Sequence, residues 1–312
     1  MKFFYHPKYN IDLGLLNYLH PFDGRKFKKV YADISRLDGI DLHQVNAPVS
    51  LDVIEDFCDV LLKRLIYKKR YILRALEVPN IPLLPFSVID NRILLPMRWG
   101  VSGTLAATRA ALKGEACWNL SGGYHHASRA SSEGFCIYND IGITEQVFCE
   151  EGLIDKSSKI LIVDIDAHHG NGNAYTFLEQ DNVTLFDIYN DDIYPQSRAS
   201  KERLNINIPL QRGTSGETYL SKLEAGLSQL HEGFDLAFVV AGTDVISTDP
   251  LGGLSLSVAD CVERDKMVYE KLNSLSVPMV FLGGGGYSSD SARAITESII
   301  NLHQLNKKPV AA

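Results

Sequence analysis

The amino-acid sequence predicts an α/β protein built on a parallel sheet. Continuous apolar runs of strand length, rich in Val, Ile and Leu, recur in its second half, at residues 159–164, 183–188, 235–241 and 277–282. Such runs are typical of strands that are covered on both faces of a parallel sheet. Segments with apolar residues at helical spacing alternate with them, at residues 216–230, 257–275 and 289–305. This alternation of strands and helices indicates α/β architecture with right-handed crossovers.

The first half of the chain gives weaker signals. Residues 51–65 begin with acidic residues and carry apolar side chains at helical spacing, which predicts one amphipathic helix. A short strand is expected around residues 118–120. The sequence has no internal repeat, low-complexity segment or Pro/Gly/Ser linker, so residues 1–312 are expected to form a single domain.

Composition excludes several classes of protein. The chain has 31 Lys and Arg against 38 Asp and Glu, a net charge of −7, so nucleic acid is not an expected partner. The sequence contains no run of 18 apolar residues, so it predicts no membrane-spanning helix. The five cysteines are dispersed and never form C-x-x-C, which argues against a disulfide framework and favours a reducing compartment. We expect the cytoplasm, with the nucleus as the alternative location.

The strongest chemical signal follows the predicted strand 159–164, in the sequence D-I-D-A-H-H-G-N-G of residues 164–172. Because side chains alternate in an extended segment, Asp164, Asp166 and His168 point to the same side. The carboxyl ends of parallel strands are where open α/β sheets place their ligands. Asp166 and His168 can therefore chelate one metal ion. A cap or a solvated polar group is the alternative for each residue taken alone.

A third ligand is expected from another strand end. Asp244 follows the strand 235–241 as Asp166 follows its own strand, although a lone Asp there is more often a cap or turn residue. Asp166, His168 and Asp244 together leave a coordination position open for water or substrate, as a catalytic zinc site does. The same oxygen-rich set also suits iron(II) or cobalt.

Two further motifs carry groups suited to proton transfer and hydrogen bonding. His125 and His126 follow Gly122-Gly123, and adjacent imidazoles in a pocket can move protons near neutral pH, although one could ligate and the other pack. Four glycines at 283–286 precede Tyr287. They could cradle a phosphate, but the loop lacks the Lys and Ser/Thr of a P-loop, and a neutral donor follows it.

Five motifs in this order resemble the zinc-dependent histone deacetylase family. They are G-G-x-H-H (122–126), G-F-C-x-x-N-D (134–140), D-x-D-x-H-H-G-N-G (164–172), G-x-D…D-P-L-G (242–252) and L-G-G-G-G-Y (282–287). The segments Y-H-P-K-Y-N (5–10) and L-H-P-F-D (19–23) further resemble the class IV branch. Residues 47–91, where family members place substrate-rim residues, match poorly.

The resemblance implies a fold and a set of roles. The fold is a three-layer, arginase-like α/β sandwich with a central, mainly parallel sheet. Asp166, His168 and Asp244 would bind zinc. His126 would act as general base and then general acid, with His125 as its electrostatic partner.

It also implies the groups around this centre. Asp164 would orient His125, and Tyr287 would donate to the substrate carbonyl oxygen. The residues expected to line an acyl-lysine tunnel are Gly134, Phe135, Tyr194 and Gly285. A K⁺ or Na⁺ site is expected at Asp164, Asp166, His168, Asp187 and Ile188.

One residue departs from many members of that family. Asn171 stands where many deacetylases have a carboxylate, and an amide stabilises an imidazolium less well. The pKa of His126 is therefore expected to be lower than in those relatives.

The resulting expectation is a zinc amidohydrolase that acts on acylated lysine in peptides or proteins. Class IV resemblance raises the expectation of long fatty-acyl chains. Three alternatives stay open: a deacetylase of small amines such as acetylpolyamines, a non-catalytic metal-binding relative, and a two-manganese hydrolase. The last would need more ligands, for which only Asp164 and His169 are spare.

Overall fold

A computed structural model of the chain describes residues 1–11 and 24–307. The segment 19–23, on which part of the class IV resemblance depends, lies outside the described residues. Assignment to that branch therefore stays a prediction.

The described residues form an eight-stranded sheet in which every pairing is parallel. The strands are β1 (Lys2–Phe4), β2 (Asp41–His43), β3 (Cys117–Asn119), β4 (Ile160–Asp164), β5 (Val183–Asn190), β6 (Ile206–Leu210), β7 (Leu236–Val240) and β8 (Met279–Leu282). Their spatial order is β2-β1-β3-β8-β7-β4-β5-β6. The five predicted strands are β3, β4, β5, β7 and β8, which occupy consecutive positions in the middle of the sheet.

Helices connect the strands. They are α1 (Lys26–Ile34), α2 (Leu51–Phe57), α3 (Val60–Leu65), α4 (Lys69–Ala75), α5 (Phe86–Ile89), α6 (Leu95–Ala111), α7 (Asp140–Glu150), α8 (Asn171–Thr176), α9 (Arg198–Glu202), α10 (Gly216–Leu227), α11 (Val258–Ser274) and α12 (Ser291–Lys307). A 3-10 turn spans Pro7–Tyr9, and a π-helical segment, Asp90–Leu94, leads into α6. The described helices thus supply the crossovers that a parallel sheet requires.

The sheet is covered on both faces, which confirms the predicted three-layer α/β class. On one face Leu161, Val163 and Val239 pack in a core that α1, α10, α11 and α12 complete. On the other face Ile162 and Phe238 lie in a second core with α6, α7 and α8. Alternate residues of one strand therefore enter opposite cores, which explains why β4 and β7 are apolar throughout.

The prediction of one helix over 51–65 is wrong. Cys58 and Asp59 have extended backbone, with ψ of 144° and 156°, and separate α2 from α3. The backbone N–H of Asp59 donates to the carbonyl oxygen of Arg129 at 2.8 Å instead of continuing the helix. Helical periodicity persists across the break because α2 and α3 bury apolar residues in the same small core.

Three strands escaped prediction: the two edge strands β2 and β6, and β1, which lies next to β2. β1 and β2 are only three residues long, and β6 contains Pro209 and alternates buried and accessible positions at the edge of the sheet. Short length and an edge position both remove the continuous apolar pattern of a central strand. Within the described residues, no helix combines the length and apolarity that crossing a membrane requires.

Strand register brings the predicted site residues to one edge of the sheet. Asp164, the last residue of β4, is paired with Asp187 on β5 and with Val240 on β7. The segments that carry Asp166 and Asp244 therefore leave neighbouring strands at the same level.

Candidate metal centre and catalytic site

A buried group of three ligands lies at the carboxyl edge of the sheet. Potential ligand atoms of Asp166, His168 and Asp244 all lie within 4.8 Å of one another. His168 Nδ1 is 2.9 Å from Asp244 Oδ2 and 3.2 Å from Asp166 Oδ1. Among the described residues this is the one group of three or more such side chains, and Asp164 and His169 are not members of it.

The electrostatics of this group fit a cation. Burial, followed by the charge of Asp166, raises the pKa of Asp244 to about 7. Burial opposes protonation of His168, but its hydrogen bonds to the two carboxylates prevail and raise its pKa to about 10. Two buried carboxylates thus hold a proton between them through His168, and a divalent cation would replace that proton. The donor set is compatible with the metal dependence that the sequence predicts.

Backbone donors fix the carboxylate orientations. The N–H of Gly285 donates to Asp166 Oδ2 at 2.7 Å, and the N–H of Ala167 donates to Asp244 Oδ1 at 2.9 Å. A Cβ at position 285 would lie 2.4 Å from Asp244 Oδ2. Glycine is therefore required there because the backbone approaches both carboxylates, and Gly285 borders the ligands as well as the predicted tunnel.

His125 is held by a carboxylate. Its Nδ1 lies 2.8 Å from Asp164 Oδ2, as the sequence predicts, and its Nε2 lies 3.8 Å from Asp166 Oδ1. Burial lowers the pKa of His125, but the charges of Asp164 and Asp166 outweigh that effect and raise it to about 9. His125 is thus a cation held beside the neighbouring ring of His126, whose centroid is 4.1 Å away.

His126 has an amide partner instead. Its Nδ1 donates to Asn171 Oδ1 at 2.7 Å, which leaves the Nε2 lone pair available. Burial lowers the pKa of His126, and the charges of His125 and His168 lower it further. A low pKa keeps the ring neutral, as a general base must be at the start of a reaction. Sequence reasoning did not single out Glu133, whose Oε1 accepts from Asn171 Nδ2 at 2.6 Å.

Aromatic side chains enclose the approach to His126. Phe135 and Tyr287 have ring centroids 5.7 Å apart, and the ring of Tyr194 stands edge-on to His126 at 5.1 Å. Burial, followed by the charges of Asp244 and Asp166, raises the pKa of Tyr287, so its hydroxyl keeps its proton. Gly134 has φ +53°, and a Cβ there would lie 2.4 Å from His126 Cδ2. The backbone at 134 therefore packs directly against the His126 ring.

One pocket joins these groups. It is lined by both histidines, Gly134, Phe135, Gly285 and Tyr287, and also by the apolar residues Ile11, Phe27 and Met97. Of the four predicted tunnel residues, Gly134, Phe135 and Gly285 line this pocket. Tyr194 does not line it, although its ring lies 5.1 Å from the His126 ring.

The predicted monovalent-cation residues also lie together. Asp164 and Asp187 are paired across β4 and β5, and Ile188 follows on β5. Asp187 Oδ2 accepts from His169 Nδ1 at 2.7 Å and from the N–H of Gly170 at 2.9 Å. Its Oδ1 is buried without a hydrogen-bond partner, which suits a cation. A K⁺ or Na⁺ site here stays a prediction.

A model of the histone deacetylase domain matches residues 83–303. The chain belongs to the histone deacetylase family. The match begins near the end of the poorly matching segment 47–91 and includes all five motifs. Family membership makes the chain a hydrolase of a metal-dependent group, and the buried Asp-His-Asp cluster is compatible with that dependence.

Sequence relatives cover much of the chain. It is 29% identical over 303 residues to Histone deacetylase 2 of Arabidopsis thaliana, across 96% of this chain and 77% of that protein. It is 31% identical over 202 residues to the Acetoin utilization protein AcuC of Staphylococcus aureus, across 60% of this chain and 51% of that protein.

Solved structures share the fold. Acetylpolyamine aminohydrolase from Burkholderia pseudomallei superposes with a TM-score of 0.72 at 18% identity, over 96% of this chain and 98% of that chain. A histone deacetylase homologue from Aquifex aeolicus superposes with a TM-score of 0.72 at 21% identity, over 97% of this chain and 83% of that chain. The central parallel sheet between helical layers is therefore the architecture common to these proteins.

Three charged residues of the deacetylase chain that sequence reasoning left without a role hold the site loops. Asp140 accepts from the N–H groups of Gly123 and Tyr124 at 3.0 and 2.9 Å, and so fixes the loop before the two histidines. Asp249 accepts from the backbone N–H groups of Leu251 and Tyr287, and so links its own loop to the glycine loop. Lys26 is buried and donates through Nζ to the carbonyl oxygens of residues 284, 285 and 286. Asp140 and Asp249 belong to two of the five motifs that resemble the family, but no pattern in the sequence around Lys26 predicts its role.

Proposed function

We propose that this chain is a zinc-dependent amidohydrolase that removes acyl groups from lysine side chains. The observation that carries the proposal is that His126 and Tyr287 line one pocket whose wall borders the Asp-His-Asp cluster: the pocket residue Gly285 donates its N–H to Asp166, and the rings of His126 and His168 lie 5.9 Å apart. Amide hydrolysis needs an activated water, a stabilised oxyanion and a proton for the leaving amine. The site has a candidate group for each need.

Asp166, His168 and Asp244 would hold the zinc ion. When bound, zinc lowers the pKa of water and polarises a carbonyl group. Iron(II) or cobalt would suit the same ligands.

The chain's own residues carry the proton transfers. His126 takes the proton of the attacking water at Nε2, because its Nδ1 is already committed to Asn171. It then delivers that proton to the departing lysine amine. Tyr287 donates its hydroxyl proton to the oxygen on which negative charge develops. His125, charged through Asp164, contributes a fixed positive charge.

The pocket also supports acyl groups longer than acetyl. Its lining also includes the buried apolar side chains of Ile11, Phe27 and Met97. An acyl chain placed there would displace water from apolar surface at roughly 0.8 kcal/mol per buried methylene group. This agrees with the long-chain preference expected from the class IV resemblance.

A small acylated amine is the second candidate substrate. A structural neighbour with this fold is an acetylpolyamine aminohydrolase. A chain with net charge −7 suits a cationic polyamine and a basic peptide equally.

Activity on a graded substrate series tests the proposal. Zinc-loaded protein is assayed on one lysine peptide that carries acyl groups from acetyl to myristoyl, and on acetylspermidine. We expect turnover of the acylated peptide that rises with chain length and is lost in His126→Ala. Turnover of acetylspermidine alone would favour the small-amine candidate. A zinc-dependent hydroxamate complex without any turnover would favour the non-catalytic alternative.

We further propose that residues 1–312 act as one catalytic domain in the cytoplasm. All five cysteines are free and four of them are buried, which supports a reducing compartment.

A further inference from the structure

We propose that Glu133 is a positioning residue that sets the proton on His126 by fixing the amide of Asn171. The proposal rests on the proposed function of His126 as the base. Two short hydrogen bonds carry it: Asn171 Nδ2 donates to Glu133 Oε1 at 2.6 Å, and His126 Nδ1 lies 2.7 Å from Asn171 Oδ1.

An amide has a donor end and an acceptor end, so its orientation decides what its neighbour must be. An ionised carboxylate only accepts hydrogen bonds. Facing Glu133, Asn171 must present its NH₂ group, and its oxygen is then left for His126. The His126 proton must accordingly reside on Nδ1, which leaves Nε2 as the base. Rotation of the amide by half a turn would place a donor against Nδ1 and favour the wrong tautomer.

The surroundings of Glu133 suit this task. Its backbone N–H and carbonyl oxygen pair with Cys136 at 3.1 and 2.9 Å, which holds the residue in a tight turn. The next residue, Gly134, packs on the His126 ring. The hydroxyl of Tyr194 also hydrogen-bonds to Glu133. One carboxylate therefore links the amide behind His126 to an aromatic wall of the entrance.

The departure at position 171 explains why such a residue is needed. Where a relative has a carboxylate at this position, both oxygens accept, and no group is required to choose between orientations. The amide of Asn171 needs that choice to be made. Glu133 is half-buried and hydrogen-bonded directly to Asn171, so it can fix the orientation of that amide.

A double-mutant cycle separates positioning from a general structural role. Glu133→Ala in the wild-type background is expected to lower kcat/KM about 10- to 100-fold, the usual cost of losing a group that orients a catalytic side chain. In the Asn171→Asp variant no amide remains to be oriented, and Glu133 would instead repel the new carboxylate. The same Glu133→Ala change is expected to lower kcat/KM there by about twofold or less, within ordinary additivity, or to raise it.

Tyr194→Phe is the matched control, because it removes the other hydrogen bond of Glu133. Its effect on kcat/KM should be the same in both backgrounds. Equal losses for Glu133→Ala in both backgrounds would overturn the proposal.

A second measurement does not depend on activity. In protein labelled with ¹⁵N-histidine, the His126 signals are assigned by their loss in His126→Gln. At neutral to mildly alkaline pH they should report a proton on Nδ1 in the wild type and a mixture of tautomers in Glu133→Ala. An unchanged tautomer in Glu133→Ala would refute the proposal. Absence of turnover in the wild type would count against the proposed function and leave this test valid.

Discussion

Asp249 Oδ2 accepts the backbone N–H of Tyr287 at 2.7 Å. It also accepts from the N–H of Ser288 at 3.1 Å, while its other oxygen accepts from Leu251 and Gly252. Asp249 of the D-P-L-G motif therefore holds the backbone of another loop, the one that carries Tyr287. It positions the Tyr287 side chain through that backbone.

Replacement of Asp249 should consequently reduce turnover. Asp249→Asn keeps one acceptor oxygen and turns the other into a donor that faces N–H groups. We expect kcat to fall on the order of 10- to 100-fold with a smaller change in KM, because Tyr287 moves relative to the carbonyl oxygen. Steady-state kinetics measure both constants. The control is Asp181→Asn, at an exposed position before the amino end of β5, which should leave kcat and KM unchanged. Equal kinetics in the two variants would contradict the assigned role.

Tyr287→Phe removes a hydrogen bond to the developing oxyanion and leaves the ring. We expect kcat to fall about 100- to 1,000-fold, the usual loss for one such donor. Thermal stability should stay at the wild-type value, since the ring still packs on Phe135. Turnover within about threefold of wild type would exclude Tyr287 as this donor.

Exchange of the amide and the carboxylate behind His126 should shift the pH profile. In the double variant Asn171→Asp, Glu133→Gln both hydrogen bonds can still form, but the amide at position 133 now donates to the carboxylate at position 171, which touches His126. A carboxylate stabilises the imidazolium and so raises the pKa of His126, which wild-type burial lowers. Because the base must be neutral, the acidic limb of kcat/KM should move to higher pH. A limb that stays in place or moves to lower pH would show that His126 does not titrate in that step.

Gly134→Ala should disable the site by a steric route. The new Cβ would lie 2.4 Å from His126 Cδ2 and displace the ring, and a displacement of about 1 Å can cost about 100-fold in rate. Gly152→Ala is the matched control, because Gly152 also has positive φ, +68°, but has nothing within 4 Å of its would-be Cβ. Both variants should lose stability from backbone strain. Only Gly134→Ala should lose activity, and equal activity in the two would disprove the contact.

Metal removal should destabilise the fold. A ligand that binds only the native state at 100 times its Kd contributes about 2.7 kcal/mol. We expect zinc to raise the unfolding midpoint of chelator-treated wild-type protein, with one ion bound per chain by atomic absorption. Asp244→Asn should bind far less zinc and show little rise in midpoint. If zinc raised the unfolding midpoint of Asp244→Asn as much as that of the wild type, the ion would bind elsewhere.

The sequence was informative wherever a local pattern carried the structure. β4 and β7 are buried on both faces, so their continuous apolar runs identified them. The residues that follow these strands were expected to lie together because parallel strand ends share an edge. The break at Cys58 was not visible, since it depends on a hydrogen bond to Arg129 far along the chain.

The residues that support the site were not predicted, because their contacts are also distant in the sequence. Glu133 reaches Asn171 only in the folded chain, and the sequence around Glu133 has no pattern that predicts this contact. Asp249 belongs to a recognisable motif, but the motif does not say that its partner is the backbone of Tyr287.

Lys26 joins parts of the chain that are synthesised far apart in time. Its Nζ reaches carbonyl oxygens 258 to 260 residues further along, in the loop that leads to Tyr287. A nascent chain can fold much of the central sheet before that loop leaves the ribosome, but it cannot complete this contact. The enzyme is therefore expected to stay inert during translation until residues 284–286 have left the ribosome and reached Lys26.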